Sequence, residues 1–153
     1  MSRRHSATKR PLAKDGKYQN TLVARLVNTV MFSGKKSTAQ RIVYAAFDTI
    51  SEKNPASNPI EILQRAVDNA KPRIETKARR VGGATYQVPL EIPTERQNAL
   101  ALRWIVDFAD AKKGVTMKAA LAAEILEAYQ GQGNAIRKRD EVQIGRASCR
   151  ERV

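Results

Sequence analysis

The sequence has very few of the side chains that build most active sites. Its 153 residues include one cysteine and one histidine, and aromatic residues make up only 5% of the chain. With His5 as the sole histidine, neither a nucleophile–base–orienter triad nor a zinc site can be assembled. Gly82 and Gly83 lack the lysine, serine and following helix of a phosphate-binding loop. We therefore predict that the protein is not an enzyme and needs no cofactor or metal ion.

Long apolar runs and a secretory leader are also missing. No run approaches the roughly 20 apolar residues of a membrane span, and no charged start followed by an apolar stretch marks a signal peptide. The hydrophobic fraction of 42% is nevertheless ample for the core of one domain, which is what this length predicts. We expect a one-domain protein with neither a membrane nor a small molecule as its partner.

Negative charge is scarce relative to positive charge. The chain has 28 lysine and arginine residues against 15 aspartate and glutamate residues, a net charge of +13. Such an excess destabilises the compact state by self-repulsion unless a polyanion neutralises it, and nucleic acid is the usual polyanion. The low aromatic content argues against base stacking as the dominant mode of binding. The composition therefore predicts nucleic-acid binding mainly through phosphates.

Helical periodicity organises most of the chain. Residues 1–18 have few apolar side chains and no period, so we expect an extended basic arm there. Residues 19–142 carry five or six stretches of helical spacing, which predict a helical domain. The pattern from Thr94 to about Ala111 is apolar around much of its girth, which favours a central helix. A sixth, short helical segment is predicted over residues 135–142.

The boundaries of the third helix and the hairpin that follows it are the clearest local signals. Asn58 can cap the third helix and Pro72 ends it. Alternating runs over residues 73–92 flank Gly82-Gly83, which suits a turn with φ > 0 at both residues. We assign one set of side chains to each face of this hairpin, with Ile74, Thr76, Ala78, Tyr86, Val88, Leu90 and Ile92 together on the first face. The predicted fold is mainly α: a five-to-six-helix bundle with one protruding two-stranded antiparallel β-hairpin between the third and fourth helices.

Clusters of cations are the candidate binding residues. They lie in the arm, at the corner between the first two helices, near the hairpin tip, on the fourth helix and in the last helical segment. In that order they are Arg3, Arg4, Lys9, Arg10 and Lys17; Lys35 and Lys36; Lys77, Arg79 and Arg80; Arg96 and Arg103; and Arg137, Lys138 and Arg139. We predict that they grip the phosphates of folded RNA. The alternative is an architectural DNA-binding protein with a basic β-arm, in which Val81 is the only candidate for an apolar wedge.

Three motifs resemble one known family. GKKST at 34–38, RRVGGATYQVP at 79–89 and RQNALALRWI at 96–105 are similar to bacterial small-subunit ribosomal protein number seven. The resemblance implies a helical bundle with a protruding β-ribbon that binds the 3′ major domain of small-subunit rRNA. It also implies a role in nucleating assembly of the subunit head, in the ribosome of the bacterial cytoplasm or of an organelle. The implied neighbours are exit-site tRNA, mRNA and the ribosomal proteins of the head and platform.

Residues 143–153 depart from the pattern of that family. Its members usually continue from a stretch like RKRDEV into a histidine and a basic, aromatic helical tail, whereas here Gln143 is followed by IGRASCRERV. Those residues read codon for codon as ATC GGA AGA GCG TCG TGT AGG GAA AGA GTG, a sequencing-adapter read. In the adapter, the bases AG come before ATC. The codon CAG for Gln143 therefore consists of one native base, C, followed by AG from the adapter. A native histidine codon also begins with C. We interpret 143–153 as a non-native tail in place of the true one, and Cys149 therefore indicates nothing about redox state or metal binding.

Deletion of residues 143–153 should change the free energy of unfolding by less than about 0.5 kcal/mol, because the segment has no apolar period that a core would need. RNA affinity should fall slightly, since Arg146, Arg150 and Arg152 outnumber Glu151. Thermal melting and an RNA-binding titration of the two chains measure these effects. Unfolding of the domain on deletion would show that the tail is a real part of the protein.

Overall fold

The structure is a computed structural model that describes residues 10–55 and 57–150. It contains, in chain order, α1 (Thr21–Val30), α2 (Lys36–Lys53), α3 (Pro59–Ala70), β1 (Ile74–Val81), β2 (Ala84–Glu91), α4 (Thr94–Ala111), α5 (Met117–Tyr129) and α6 (Asn134–Arg150). This arrangement confirms the predicted helical bundle with a hairpin between the third and fourth helices. None of these helices combines the length and apolar surface that a bilayer crossing requires.

Helix α5 lies at the centre of the bundle. It contacts α2, α3, α4 and α6, and six of its side chains are buried: Ala120, Leu121, Ala122, Glu124, Ile125 and Ala128. Helix α4, predicted to be central, also contacts four helices (α1, α3, α5 and α6), although Trp104 and Phe108 are only partly buried. The alanines of α5 let its neighbours approach closely, and their weak hydrophobic signal concealed its position.

The predicted ends of α3 are confirmed, whereas α6 is longer than predicted. The side chain of Asn58 accepts a hydrogen bond from the backbone N–H of Ile60 at 3.2 Å, and α3 ends at Ala70, two residues before Pro72. Helix α6 begins at Asn134 as expected but continues to Arg150, past the predicted end at residue 142. The interpretation of 143–153 as a non-native tail stays a prediction, and residues 151–153 lie outside the described residues.

The register of the hairpin corrects the predicted faces. β1 and β2 are antiparallel with Val81 opposite Ala84, so that Arg79 lies opposite Tyr86 and Lys77 opposite Val88. Directly opposed residues share one face of a sheet. Tyr86, Val88 and Leu90 therefore share their face with Lys77 and Arg79, and not with Ile74, Thr76 and Ala78 as predicted; Arg80, opposite Thr85, lies on the other face. One face of the hairpin is a mixed cationic and apolar surface.

The end of the N-terminal arm is folded onto α2. Asp15 is buried and accepts hydrogen bonds from the backbone N–H groups of Lys17 (3.1 Å) and Tyr18 (3.2 Å) and from the hydroxyl of Tyr44 (2.8 Å). Burial, together with that hydrogen bond, raises the pKa of Tyr44 above its ordinary 10.0. Tyr18 also packs edge-on against Phe47, with ring centroids 5.2 Å apart. The expectation of an extended arm was therefore wrong for residues 15–18.

A buried ion pair joins the start of the α4–α5 loop to the middle of α5. Glu124 is fully buried, and its Oε1 lies 2.9 Å from Lys112 Nζ. Neither oxygen of Glu124 has a well-directed hydrogen bond among the described residues, so the Lys112 charge is what compensates its burial. Lys112 Nζ also lies 3.1 Å from Glu127 Oε1. Desolvation alone lowers the pKa of Lys112, but the nearby carboxylates of Glu124 and Glu127 outweigh this and raise the pKa above 10.5.

Replacement of Lys112 by methionine should lower the free energy of unfolding by about 3–5 kcal/mol, because Glu124 is left buried and unpaired. Urea unfolding measures the loss. Lys113→Met changes an exposed neighbour and should stay within about 0.5 kcal/mol of the parent. A group whose pKa is higher in the folded than in the unfolded state stabilises the folded protein at any pH below the unfolded-state pKa. That contribution is lost as the pH rises through the folded-state pKa. The difference between parent and Lys112→Met should accordingly narrow above about pH 10.5, and a constant difference would contradict this account.

Candidate nucleic-acid interface

The hairpin carries three exposed cations on β1 between the middle of the strand and the tip. Lys77, Arg79 and Arg80 are exposed, and none of them forms an ion pair within the described residues. The turn that ends the hairpin has φ of 58° at Gly82 and 89° at Gly83, which confirms the predicted two-residue glycine turn. These three charges therefore point into solvent at the end of a protruding element, available to an anionic partner.

The face that carries Arg79 and Lys77 also carries exposed apolar side chains. Tyr86, opposite Arg79, is 54% exposed, and Leu90, opposite Glu75, is 50% exposed. Such a surface offers a charge for a phosphate and a flat apolar group for a sugar or base at neighbouring positions. Sequence reasoning missed this combination because it assigned the two sets of side chains to different faces.

The base of the hairpin is tied to the body by Arg96. Its Nε donates to Glu75 Oε2 at 2.8 Å and its Nη2 donates to Glu75 Oε1 at 2.9 Å. The paired guanidinium holds the pKa of the Glu75 carboxyl below its usual range, and the carboxylate in turn raises the pKa of Arg96. Ile92 is buried, and its carbonyl accepts a hydrogen bond from Gln97 Nε2 at 2.8 Å. Arg96, predicted to bind RNA, thus also orients the hairpin.

The corner between α1 and α2 forms a second cationic surface. Lys35 and Lys36 are exposed, and neither forms an ion pair within the described residues. Lys36 also lines a small cleft together with Lys14, Asn28 and Gln40, so the structure brings the arm and the corner together as one surface. The sequence contains no aspartate or glutamate from residue 16 to residue 47. Asp15 also lines the cleft, but it is buried and accepts a hydrogen bond from Tyr44.

The remaining candidates fall into three groups. Arg3, Arg4 and Lys9 lie outside the described residues. Arg10 and Arg103 are exposed, whereas Lys17 is exposed but has its Nζ 3.5 Å from Asp48 Oδ1. Arg10, Lys17 and Arg103 stay predicted contacts, and of these three only Lys17 has an ion-pair partner among the described residues.

The cluster in α6 is divided between two roles. Arg137 is exposed, and Lys138 pairs with Glu141 at 3.2 Å. Arg139 is more enclosed: it pairs with Asp140 and donates a hydrogen bond to the backbone carbonyl of Asn69 at the end of α3. Helix α6 also contacts β1, so this cluster belongs to the side of the body from which the hairpin projects. Arg137 is the member best placed for an external phosphate.

Two kinds of residue on these surfaces were missed by sequence reasoning. Arg25 and Arg41 are exposed on α1 and α2, and the long interval without acidic residues was the signal that could have found them. Phe32 is 83% exposed at the corner, although its position after the apolar residues of α1 is typical of a core residue. Within the described residues, no group of three or more histidine, cysteine, aspartate and glutamate side chains is placed to hold a metal ion.

Comparison with known proteins gives one consistent result. A family model described as Ribosomal protein S7p/S5e matches residues 2–147. A relative from Protochlamydia amoebophila, named "Small ribosomal subunit protein uS7", is 50% identical over 141 residues, which cover 92% of this chain and 90% of the relative. A relative of the same name from Akkermansia muciniphila is 51% identical over 142 residues, 93% of this chain and 90% of the relative. A third, from Methylorubrum populi, is 50% identical over 141 residues, with 92% and 90% covered.

Replacement of Gly83 by valine should displace the hairpin tip without unfolding the helical body. A β-branched residue at φ of 89° is strained by about 1–2 kcal/mol or more, although the space around Gly83 is open. Affinity for a folded RNA should fall while thermal melting of the body stays cooperative. Gly83→Asn is the matched control, since asparagine tolerates φ > 0. Equal RNA affinity of the valine and asparagine variants would mean that the tip makes no contact with that RNA.

Proposed function

Because this chain belongs to the ribosomal protein S7p/S5e family, we propose that it binds the 3′ major domain of small-subunit rRNA and helps nucleate assembly of the subunit head. Members of the family are structural ribosomal proteins and not enzymes. The chain is accordingly a structural constituent of the small ribosomal subunit, with a role in translation in the cytoplasm. The proposal concerns which RNA it holds and with which residues.

The observation that carries the proposal is the set of exposed, unneutralised cations on the hairpin. Lys77, Arg79 and Arg80 have no acidic partner within the described residues, and the glycine turn holds them at the end of a rigid ribbon. A partner that fits this element must be anionic and must have a surface into which a narrow rod can extend. Folded RNA meets both conditions, because its helices present phosphates on either side of grooves and junctions.

The corner of Lys35 and Lys36 supplies a second, separate point of contact. It lies at the start of α2, whereas the hairpin lies between α3 and α4. Contacts from two elements to one RNA fix both position and orientation, although each phosphate contact carries no sequence information itself. A protein that grips one RNA fold at several points favours that fold over looser alternatives, which is how binding promotes assembly of the surrounding RNA.

The length of the hairpin bears on its place in the ribosome. Strands of eight residues extend the tip roughly 25 Å from the base, farther than a cation on a helix surface can reach. We infer that the tip lies near exit-site tRNA and mRNA. The rest of the protein then faces further rRNA and the neighbouring ribosomal proteins of the head and platform.

A competition experiment tests the class of nucleic acid. A folded transcript of the 3′ major domain should displace a labelled copy of itself at far lower concentration than duplex DNA of the same length. Duplex DNA that competes equally well would favour the alternative of an architectural DNA-binding protein. The wedge on which that alternative depends, the side chain of Val81, lies outside the described residues.

The salt dependence of binding should be steep. If about eight to ten phosphates are contacted, log K against log salt should have a slope of about −6 to −9. Arg79→Ala and Arg80→Ala should each make the slope shallower by about 1, with little effect on the melting temperature because both side chains are exposed. Lys53→Ala is the matched control, since Lys53 lies at the opposite end of α2 from the corner. A parent slope shallower than about −2 would remove the basic surface from the mechanism.

A further inference from the structure

Phe32 is the most exposed large apolar side chain in the part of the chain that the structure describes, with 83% of its surface accessible. The apolar residues before it on α1 behave differently, because Val23, Leu26 and Val27 are buried. A single exposed apolar residue is ordinary on a protein surface. What distinguishes Phe32 is the backbone that holds it and the charges around it.

The backbone after Phe32 forms a tight turn of fixed geometry. Ser33 has φ of 51° and Gly34 has φ of 75°, and the backbone N–H of Lys35 donates to the carbonyl of Phe32 at 3.1 Å. Two successive residues with φ > 0 and this hydrogen bond define a type I′ turn. Serine rarely adopts φ > 0, and such strain is typical of functional sites. The turn brings the Cα atoms of Phe32 and Lys35 within about 7 Å of each other.

The charges near this turn indicate which kind of ligand suits the ring of Phe32. Lys35 and Lys36 are exposed, and the nearest acidic residues along the chain are Asp15 and Asp48. Asp15 is buried and occupied by Tyr44, and Asp48 lies beside Lys17. A ligand suited to this corner therefore combines a flat apolar surface with at least one negative charge a few ångströms away. An unpaired nucleotide has this combination, since a base and its phosphate lie at that separation.

We propose that Phe32 stacks on an unpaired base of the small-subunit rRNA while Lys35 and Lys36 hold the flanking phosphates. The inference rests on the proposed function and adds to it a contact with a base, which phosphate contacts alone do not provide. An unpaired base is the part of an RNA that an aromatic side chain can reach, because bases within a helix are already stacked. Phe32 thus selects RNA with a loop or bulge at this position.

The test uses the full chain, a folded transcript of the 3′ major domain and three replacements of Phe32. Phe32→Ala should weaken binding by roughly fivefold to a hundredfold, the range found when one base–aromatic stack is lost. Phe32→Leu keeps an apolar side chain without a π-face and should be weakened similarly, whereas Phe32→Trp should bind at least as tightly as the parent. The tryptophan variant should also show fluorescence quenching on binding that exceeds the quenching of Trp104 in the parent.

Two controls separate stacking from charge and from general effects. Phe32→Ala removes no charge, so its salt slope should equal that of the parent, whereas Lys36→Ala should reduce the slope by about 1. Val115→Ala truncates another exposed apolar residue, 53% exposed in the α4–α5 loop, and should leave affinity unchanged. All variants should have the same melting temperature as the parent, because these side chains are exposed.

The outcomes distinguish this inference from the function on which it rests. Failure of the parent chain to bind the transcript rejects both. Binding by the parent with undiminished affinity of Phe32→Ala rejects the stacking contact alone. Parent-like affinity of Phe32→Leu also rejects it, because an apolar contact without a π-face would then suffice. Loss in both Phe32→Ala and Phe32→Leu, with retention in Phe32→Trp, establishes the stack.

Discussion

The packing of α2, α3, α4 and α6 around α5 is the interaction on which the rest of the structure depends. The chain carries a net charge of +13, so its compact state must be held together against self-repulsion. Apolar burial does this without regard to charge, and it is concentrated where Leu121 and Ile125 meet the surrounding helices. The elements that carry free cations, the hairpin and the α1–α2 corner, extend from helices that this core fixes. The helices from which these elements extend are therefore held in place without RNA.

The few acidic residues decide which cations remain available. Glu75 pairs with Arg96 at the base of the hairpin. Lys112 is held by Glu124 and Glu127, and Lys17 lies beside Asp48. Each of these carboxylates serves the body or the base of the hairpin, and the tip and the corner receive none among the described residues. The count of basic residues therefore overstates the binding surface. The relevant set consists of the cations without a carboxylate partner among the described residues, and those of the tip and the corner belong to it.

Sequence reasoning succeeded where one residue type has one local consequence, and it failed where a partner distant in sequence decides. Paired glycines fixed the hairpin turn, and Asn58 fixed the start of α3, because both effects act within a few residues. The faces of the hairpin were predictable as well. A two-residue turn places Val81 opposite Ala84 and hence Arg79 opposite Tyr86. The alternation of side chains within each strand does not by itself give this pairing between the strands. The roles of Arg96 and Arg139 could not be predicted, because Glu75 and the carbonyl of Asn69 reach them only through the tertiary fold.

The two protruding surfaces differ physically, and the difference determines what each can recognise. The hairpin acts as a lever. Arg96 and the buried Ile92 hold its attached end, and its tip lies roughly 25 Å away. A small rotation at the attached end therefore moves Arg79 and Arg80 by several ångströms. The corner is a short turn between two helices packed in the bundle, so the backbone of Phe32 lies close to the elements that hold it. A lever suits contacts with phosphates, which tolerate displacement because charge attraction has no strict direction. A fixed ring suits contact with a base, because stacking is lost when the two planes separate. The mechanical difference between the two elements therefore favours phosphate contacts at the hairpin tip and contact with a nucleotide base at the corner.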